Sequence, residues 1–169
     1  MFGESLDYGK VKVHNYRYSI IQPKVVIMTP NGEIFAHNGK YADDYSTQSD
    51  DYRSIFVHEM VHVWQWQRKI KYVRLSAVRE WLSNRGAYDA GYKYTLYEEV
   101  EFKDYYGLEQ QACIVEDYWR VVKSEMPFGK FRAGKYKGQD RIQNTGLTQA
   151  AKTRLLLKVL HNFIANPAY

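Results

Sequence analysis

The sequence contains a single cysteine, Cys113, among 169 residues. No disulfide can form within the chain, and a zinc centre built on several cysteines is excluded. Cys113 falls in an apolar helical pattern, the setting of a packed, inert thiol. No stretch approaches the roughly 18 apolar residues that a membrane span needs. The first residues, Met1 to Tyr8, lack a basic start followed by an apolar run, so no secretory signal is expected. The expectation is a chain that is cytoplasmic when synthesised and, if it acts elsewhere, is delivered by a secretion system. Internal repeats, low-complexity tracts and linkers of domain-boundary type are also missing, which predicts one domain over residues 1–169.

What is present is ordinary for a folded protein: 45% hydrophobic and 25% charged residues, enough to build a core and too apolar for general disorder. The unusual component is tyrosine, 16 residues in all. These side chains bury a ring while keeping a polar tip, and so suit wet core edges and binding grooves. A net charge of +5 and a pI near 9.1 favour anionic partners such as cell-wall polymers, acidic peptides, nucleic acid or membrane headgroups, without choosing among them.

Hydrophobic periodicity predicts an α+β fold. Residues 11–14 alternate as a short strand, and 17–21 read as a second. The runs 25–29 and 33–37, separated by Pro30-Asn31-Gly32, read as a hairpin. The first third is thus expected to be a small antiparallel sheet. After a polar loop over 38–50, Ser49 or Asp50 caps a helix over about 52–69. Further helical patterns cover 72–90, about 107 to Met126-Pro127, and 147–165, with irregular chain over 86–106 and a glycine-rich basic loop over 127–146. The sheet is expected beside the first helix, with the C-terminal helices closing the core.

That first helix carries His58-Glu59-Met60-Val61-His62. Residues four apart on a helix share a face, so both imidazoles can point at one ion, the context that H-E-x-x-H requires. Glu59 lies about 100° further round the helix. It is too far round to be a ligand, yet able to reach a water held by the ion. Zinc brings that water's pKa toward ~7, and Glu59 can take its proton and pass it to a leaving amine. A catalytic zinc needs a third protein ligand. The extended motif would require Gly at 65 and His at 68, where this chain has Gln65 and Arg68. A carboxylate from a later helix should therefore serve. The candidates are Glu98, Glu99, Glu101, Asp104, Glu109, Glu116 and Asp117. Glu109 is preferred because it opens a well-patterned helix whose small residues Ala112 and Cys113 share its face and allow close approach. Glu116 lies two turns on, about 10 Å along the axis, and better suits support of a ligand.

The runs His58-Glu59-Met60-Val61-His62-Val63-Trp64-Gln65 and Glu109 to Tyr118 resemble zincin-type metallopeptidases of the gluzincin class. They are most like small bacterial proteins related to the VgrG spike of type VI secretion. Phe2-Gly3, Asp7-Tyr8, Val11, His14-Asn15 and the turn at Pro30-Asn31-Gly32 extend the resemblance over roughly residues 2–120. It implies His58, His62 and Glu109 as zinc ligands and Glu59 as base. It also implies a role in bacterial antagonism, as a delivered peptidase toxin or a spike-linked enzyme. Better-known gluzincins often carry an Asp four residues after the ligand Glu, where this chain has Cys113, which leaves the partner behind the site unassigned.

Three features are secondary. Tyr92, Tyr94 or Tyr97 could donate to an oxyanion. Trp64 and Trp66 read as core rather than substrate contacts. Lys130, Arg132, Lys135, Lys137 and Arg141, interleaved with Phe128, Phe131 and Tyr136, read as a solvated loop that could also grip an anionic polymer. The expected substrate is a polypeptide or the peptide part of a cell-wall polymer, and the expected protein partners are a secretion spike or an immunity protein. Two rival readings are a catalytically inactive, zinc-stabilised binding module of a spike or phage tail, and a nucleic-acid binder using the 128–141 loop. An intact Glu59 disfavours the former, since a purely structural ion needs no base.

Overall fold

A computed structural model of the chain describes residues 1–20, 22, 26–70, 90–124, 126–131 and 136–168. Its centre is a pair of packed helices, α1 (Asp50–Gln67) and α3 (Leu108–Lys123). α1 begins where Ser49 turns to extended backbone and Asp50 and Asp51 place negative charge on the first turn, favourable against the exposed N–H groups there. It stops at Arg68, and Lys69 adopts a positive φ of 54°. α3 begins at Gly107, whose N–H donates to Gln110 Oε1 at 3.0 Å. Ala112 and Cys113 on α3 are fully buried, and their small side chains let the two helices approach closely.

A short helix, α2 (Phe102–Tyr105), precedes α3, and α4 (Gln149–Val159) and α5 (His161–Ala165) close the core. Thr148 caps α4 by accepting the Ala151 N–H at 3.2 Å. The amphipathic stretch predicted as one helix over 147–165 is two, broken at Leu160, which turns so that Leu160 and Phe163 both reach the core. Phe163 stands edge-on to Trp64 at 5.1 Å, and the Trp64 indole N–H donates to Pro167 O at 2.9 Å, tying the chain's end to α1. Trp64 is fully buried, as expected of a core residue. The helix expected over 72–90 falls outside the described residues apart from Ala90, which starts a 3-10 turn.

The antiparallel sheet expected in the first third is not what forms. The strands β1 (Val13–His14) and β2 (Ile34–Phe35) pair in parallel, Val13 opposite Ile34 and His14 opposite Phe35. Of the expected hairpin there remains one antiparallel pair, Met28 with Phe35. The reason lies in what the turn touches. Asn31 and Gly32 take φ values of 56° and 74°, and Gly32 lies so close to Trp66 of α1 that a Cβ there would come within 2.7 Å of the indole Cγ. The turn docks on the helix instead of continuing a ladder. Of the strand expected over 17–21, residues 17–20 form a bend and turn instead, and residue 21 lies outside the described residues.

The described residues of the basic segment after α3 form pairs that its composition does not suggest. Lys130 and Asp140 form an antiparallel bridge, and Tyr94 pairs with Ile142. Gly129, at φ 75°, lies against Ile142. This pairing carries Arg141 inward against α3.

Candidate metal centre

His58 and His62, one turn apart on α1, face Glu109 on the first turn of α3. His58 Nε2 lies 3.3 Å and His62 Nε2 lies 3.5 Å from Glu109 Oε2. The three donor atoms lie within 4.8 Å of one another. Donors bound to one tetrahedral zinc at 2.0–2.1 Å stand roughly 3.3–3.4 Å apart, so the spacing and chemistry of this set fit a single ion. Among the residues named in advance, the structure brings together the motif histidines and Glu109. Glu98 and Glu101 instead meet Lys158 and Asn162 at the surface.

The charges of the group are strongly coupled. Burial would raise the Glu109 carboxyl, but the two imidazoles hold it well below the usual carboxylate range. Burial disfavours a charged His62, and Glu109 reverses that and raises it. The same contest at His58 ends well above the usual imidazole value, with Cys113, Glu109 and Glu116 all favouring the charged form. Three donors that hold positive charge so readily among themselves are suited to a cation.

Two further sets of contacts orient His62 and Glu59. His62 Nδ1 lies 2.8 Å from Gln65 Oε1, and the Gln65 amide donates to Leu108 O and Gln111 Oε1, each at 2.9 Å. An acceptor at Nδ1 selects the tautomer whose Nε2 lone pair faces Glu109. Glu59, on the next position of α1, is buried and receives the Thr29 hydroxyl at 2.5 Å. Burial raises its carboxyl above the ordinary value, partly offset by His58, His62 and Thr29. A raised carboxylate pKa suits proton exchange near neutral pH. Thr29 lies 30 residues before Glu59, and no sequence spacing marks it.

Beneath the donors lies a buried ionic layer. Glu116 and Asp117 are fully buried, and Arg120 and Arg141 nearly so. Arg120 reaches Glu116 at 3.2 Å, Asp51 at 2.7 Å and the Ser54 hydroxyl at 2.9 Å. Arg141 reaches Asp117 at 2.6 Å and Glu116 at 3.1 Å. Asp117 also accepts the Gly129 N–H at 2.9 Å and the Tyr94 hydroxyl. Arg141 is therefore no part of a solvated basic loop: it is 3% exposed, because Glu116 and Asp117 require a buried cation. Lys130 pairs with Asp140, and positions 132–135 lie outside the described residues. Of the three tyrosines, Tyr92 stacks toward His58 with centroids 6.2 Å apart. The Tyr94 hydroxyl is committed to Asp117, and Tyr97 packs on Tyr105, half exposed.

No protein-family model matches the sequence. The chain is 34% identical over 134 residues to the type VI secretion system spike protein VgrG2b of Pseudomonas aeruginosa, a match that takes in 79% of this chain and 13% of that protein. Its fold is similar to the effector domain of the same VgrG2b, with a TM-score of 0.62 and 33% identity over 73% of this chain and 68% of the domain. The chain thus belongs to the family of the VgrG2b effector domain.

Proposed function

We propose that the chain is a zinc-dependent metallopeptidase that acts as a type VI secretion effector. The observation that carries the chemistry is the donor spacing of 3.3 and 3.5 Å around Glu109 Oε2 beside a buried carboxylate, Glu59, that takes no part in the donor set. His58, His62 and Glu109 would hold the ion. Zinc there would supply Lewis acidity, acidifying a water and polarising an amide carbonyl. Glu59, oriented by Thr29, takes the proton of the attacking water and returns it to the departing amine. The resemblance to a spike-protein effector domain supports delivery to another cell and association with a secretion spike. No helix among the described residues is long and apolar enough to cross a membrane. The substrate is a polypeptide or the peptide part of a cell-wall polymer.

The test is metal analysis of the purified chain beside His58→Ala, followed by peptide cleavage with and without chelator. Wild type should carry one zinc, and His58→Ala none. Glu59→Gln should keep the metal and lose about 10²–10⁴ in kcat, the usual contribution of a general base. Zinc bound with no cleavage of any peptide or cell-wall fragment would refute the enzyme.

A further inference from the structure

The donor group is backed by a second cluster of possible ligands. His58, Cys113 and Glu116 are buried and offer one donor atom each within 4.8 Å of one another. His58 belongs to both groups and turns a different nitrogen to each. Its Nε2 faces Glu109, and its Nδ1 lies 3.4 Å from Glu116 Oε2. That Nδ1 is buried and makes no hydrogen bond of good geometry.

Two occupants are conceivable for the inner cluster, a second metal ion or a proton on His58 Nδ1. Arg141 decides between them. Its guanidinium lies 3.1 Å from Glu116 Oε2 and 3.5 Å from Cys113 Sγ, so the positive charge an inner ion would bring is already supplied. Asp117 anchors that guanidinium from the other side through two contacts, 3.0 and 2.6 Å. A dication inserted here would face a fixed cation in a poorly solvated space, which is strongly repulsive. The proton has the opposite fit. An imidazole that gives Nε2 to a metal carries its proton on Nδ1, and a carboxylate facing that proton fixes the ring's tautomer and orientation.

We propose that Glu116 and Arg141 act together as positioning residues for His58. Arg141, with Arg120 on the other carboxylate oxygen, holds Glu116 so that Oε2 receives the Nδ1 proton of the liganding imidazole. Arg141 thereby sets metal affinity from 83 positions beyond the histidine it serves. This rests on the metal reading of the outer donor group, and it extends that reading to a residue that touches no ligand.

The experiment measures zinc affinity of the full chain by competition with a fluorescent chelator. Glu116→Ala and Arg141→Met should each bind zinc about 10–100-fold more weakly than wild type, the usual cost of losing a carboxylate behind a liganding histidine. Arg141→Lys, which keeps a cation beside Glu116, should recover most of the loss. Leu156→Ala, a fully buried position outside this network, should lower Tm while leaving zinc affinity within about twofold, since a core cavity acts on the fold alone. If Arg141→Met does not fold, Glu116→Ala and Arg141→Lys carry the comparison. In zinc-loaded wild type labelled with ¹⁵N-histidine, the His58 ring proton should sit on Nδ1 and exchange slowly, and Glu116→Ala should abolish that protection. A Glu116→Ala protein with near-wild-type affinity, or a wild type that takes a second zinc equally tightly, overturns the proposal. Zinc binding with these effects but no peptide cleavage would overturn the peptidase and leave this inference standing. A wild type that binds no zinc ends both.

Discussion

The two halves of α3 carry acids under opposite regimes. Glu109 on the first turn has a side chain 26% exposed, and the donors around it are imidazoles. Glu116 and Asp117, two turns on, are 0% exposed and are answered by guanidiniums. An arginine never gives up its proton in a protein, so it neutralises a buried carboxylate permanently. An imidazole can surrender its proton and become a ligand. The identity of the partners thus separates Glu109, which meets imidazole nitrogens alone among its ion-pair partners, from acids neutralised by arginine, of which Glu116 also faces His58 Nδ1 at 3.4 Å.

Removing one acid from each half tests that distinction most severely. Glu109→Ala should reduce bound zinc from one per chain to background by elemental analysis, with the helices retained in circular dichroism. If Glu109→Ala kept its zinc, the two ends of the helix would not differ in their hold on a metal. Asp117→Ala should damage the fold itself. It strands Arg141 and releases Tyr94 and Gly129, and breaking a buried pair costs about 3–5 kcal/mol. At roughly 2–4 °C per kcal/mol for a chain of this size, metal-free Tm should drop by about 10 °C.

The same contrast explains what could be read from the sequence. His58, Glu59 and His62 were legible because their spacing is local to one helix, and Glu109 because helical periodicity placed it at the head of a stripe with small neighbours. Arg141 was not. It follows a stretch rich in glycine and lysine, and the pairing of Tyr94 with Ile142 and of Lys130 with Asp140 turns its side chain inward. Thr29 was hidden for a related reason: a turn that docks on a helix looks, in sequence, like a turn between two strands. The parallel pairing of β1 with β2 likewise joins residues 21 positions apart, Val13 with Ile34, which no run of alternating residues records.

Gly32 sharpens the comparison by disturbing Glu59 without touching either acid-bearing half of α3. An alanine at φ 74°, with its Cβ 2.7 Å from Trp66 Cγ, should cost about 1–3 kcal/mol. The turn must then lift from α1 and carry Thr29 away from Glu59. Gly32→Ala should therefore lose peptidase rate about 10–100-fold at unchanged zinc affinity, in proportion to the loss of a hydrogen bond to a charged group. A variant that lost zinc and rate together would mean that the turn supports the donors as well as the base.

The smallest effect concerns the phenol at the approach to α3. Burial pushes the Tyr106 hydroxyl up to about 12, and it donates to Thr95 O at 3.0 Å and accepts the Tyr97 N–H at 3.1 Å. The neutral form is the one the fold holds, so its folded pKa exceeds the unfolded value near 10. The stability it contributes is complete below about pH 10 and declines as pH rises toward 12, by roughly 1 kcal/mol at pH 11. Tyr94 titrates upward in the same sense, because burial and Asp117 both oppose its ionisation. In urea melts, wild type should lose midpoint between pH 10 and 11, and Tyr106→Phe, less stable at pH 8 through its lost hydrogen bonds, should lose less over that interval. An equal decline in both proteins would assign the alkaline weakness to Tyr94 and the ionic layer around Asp117.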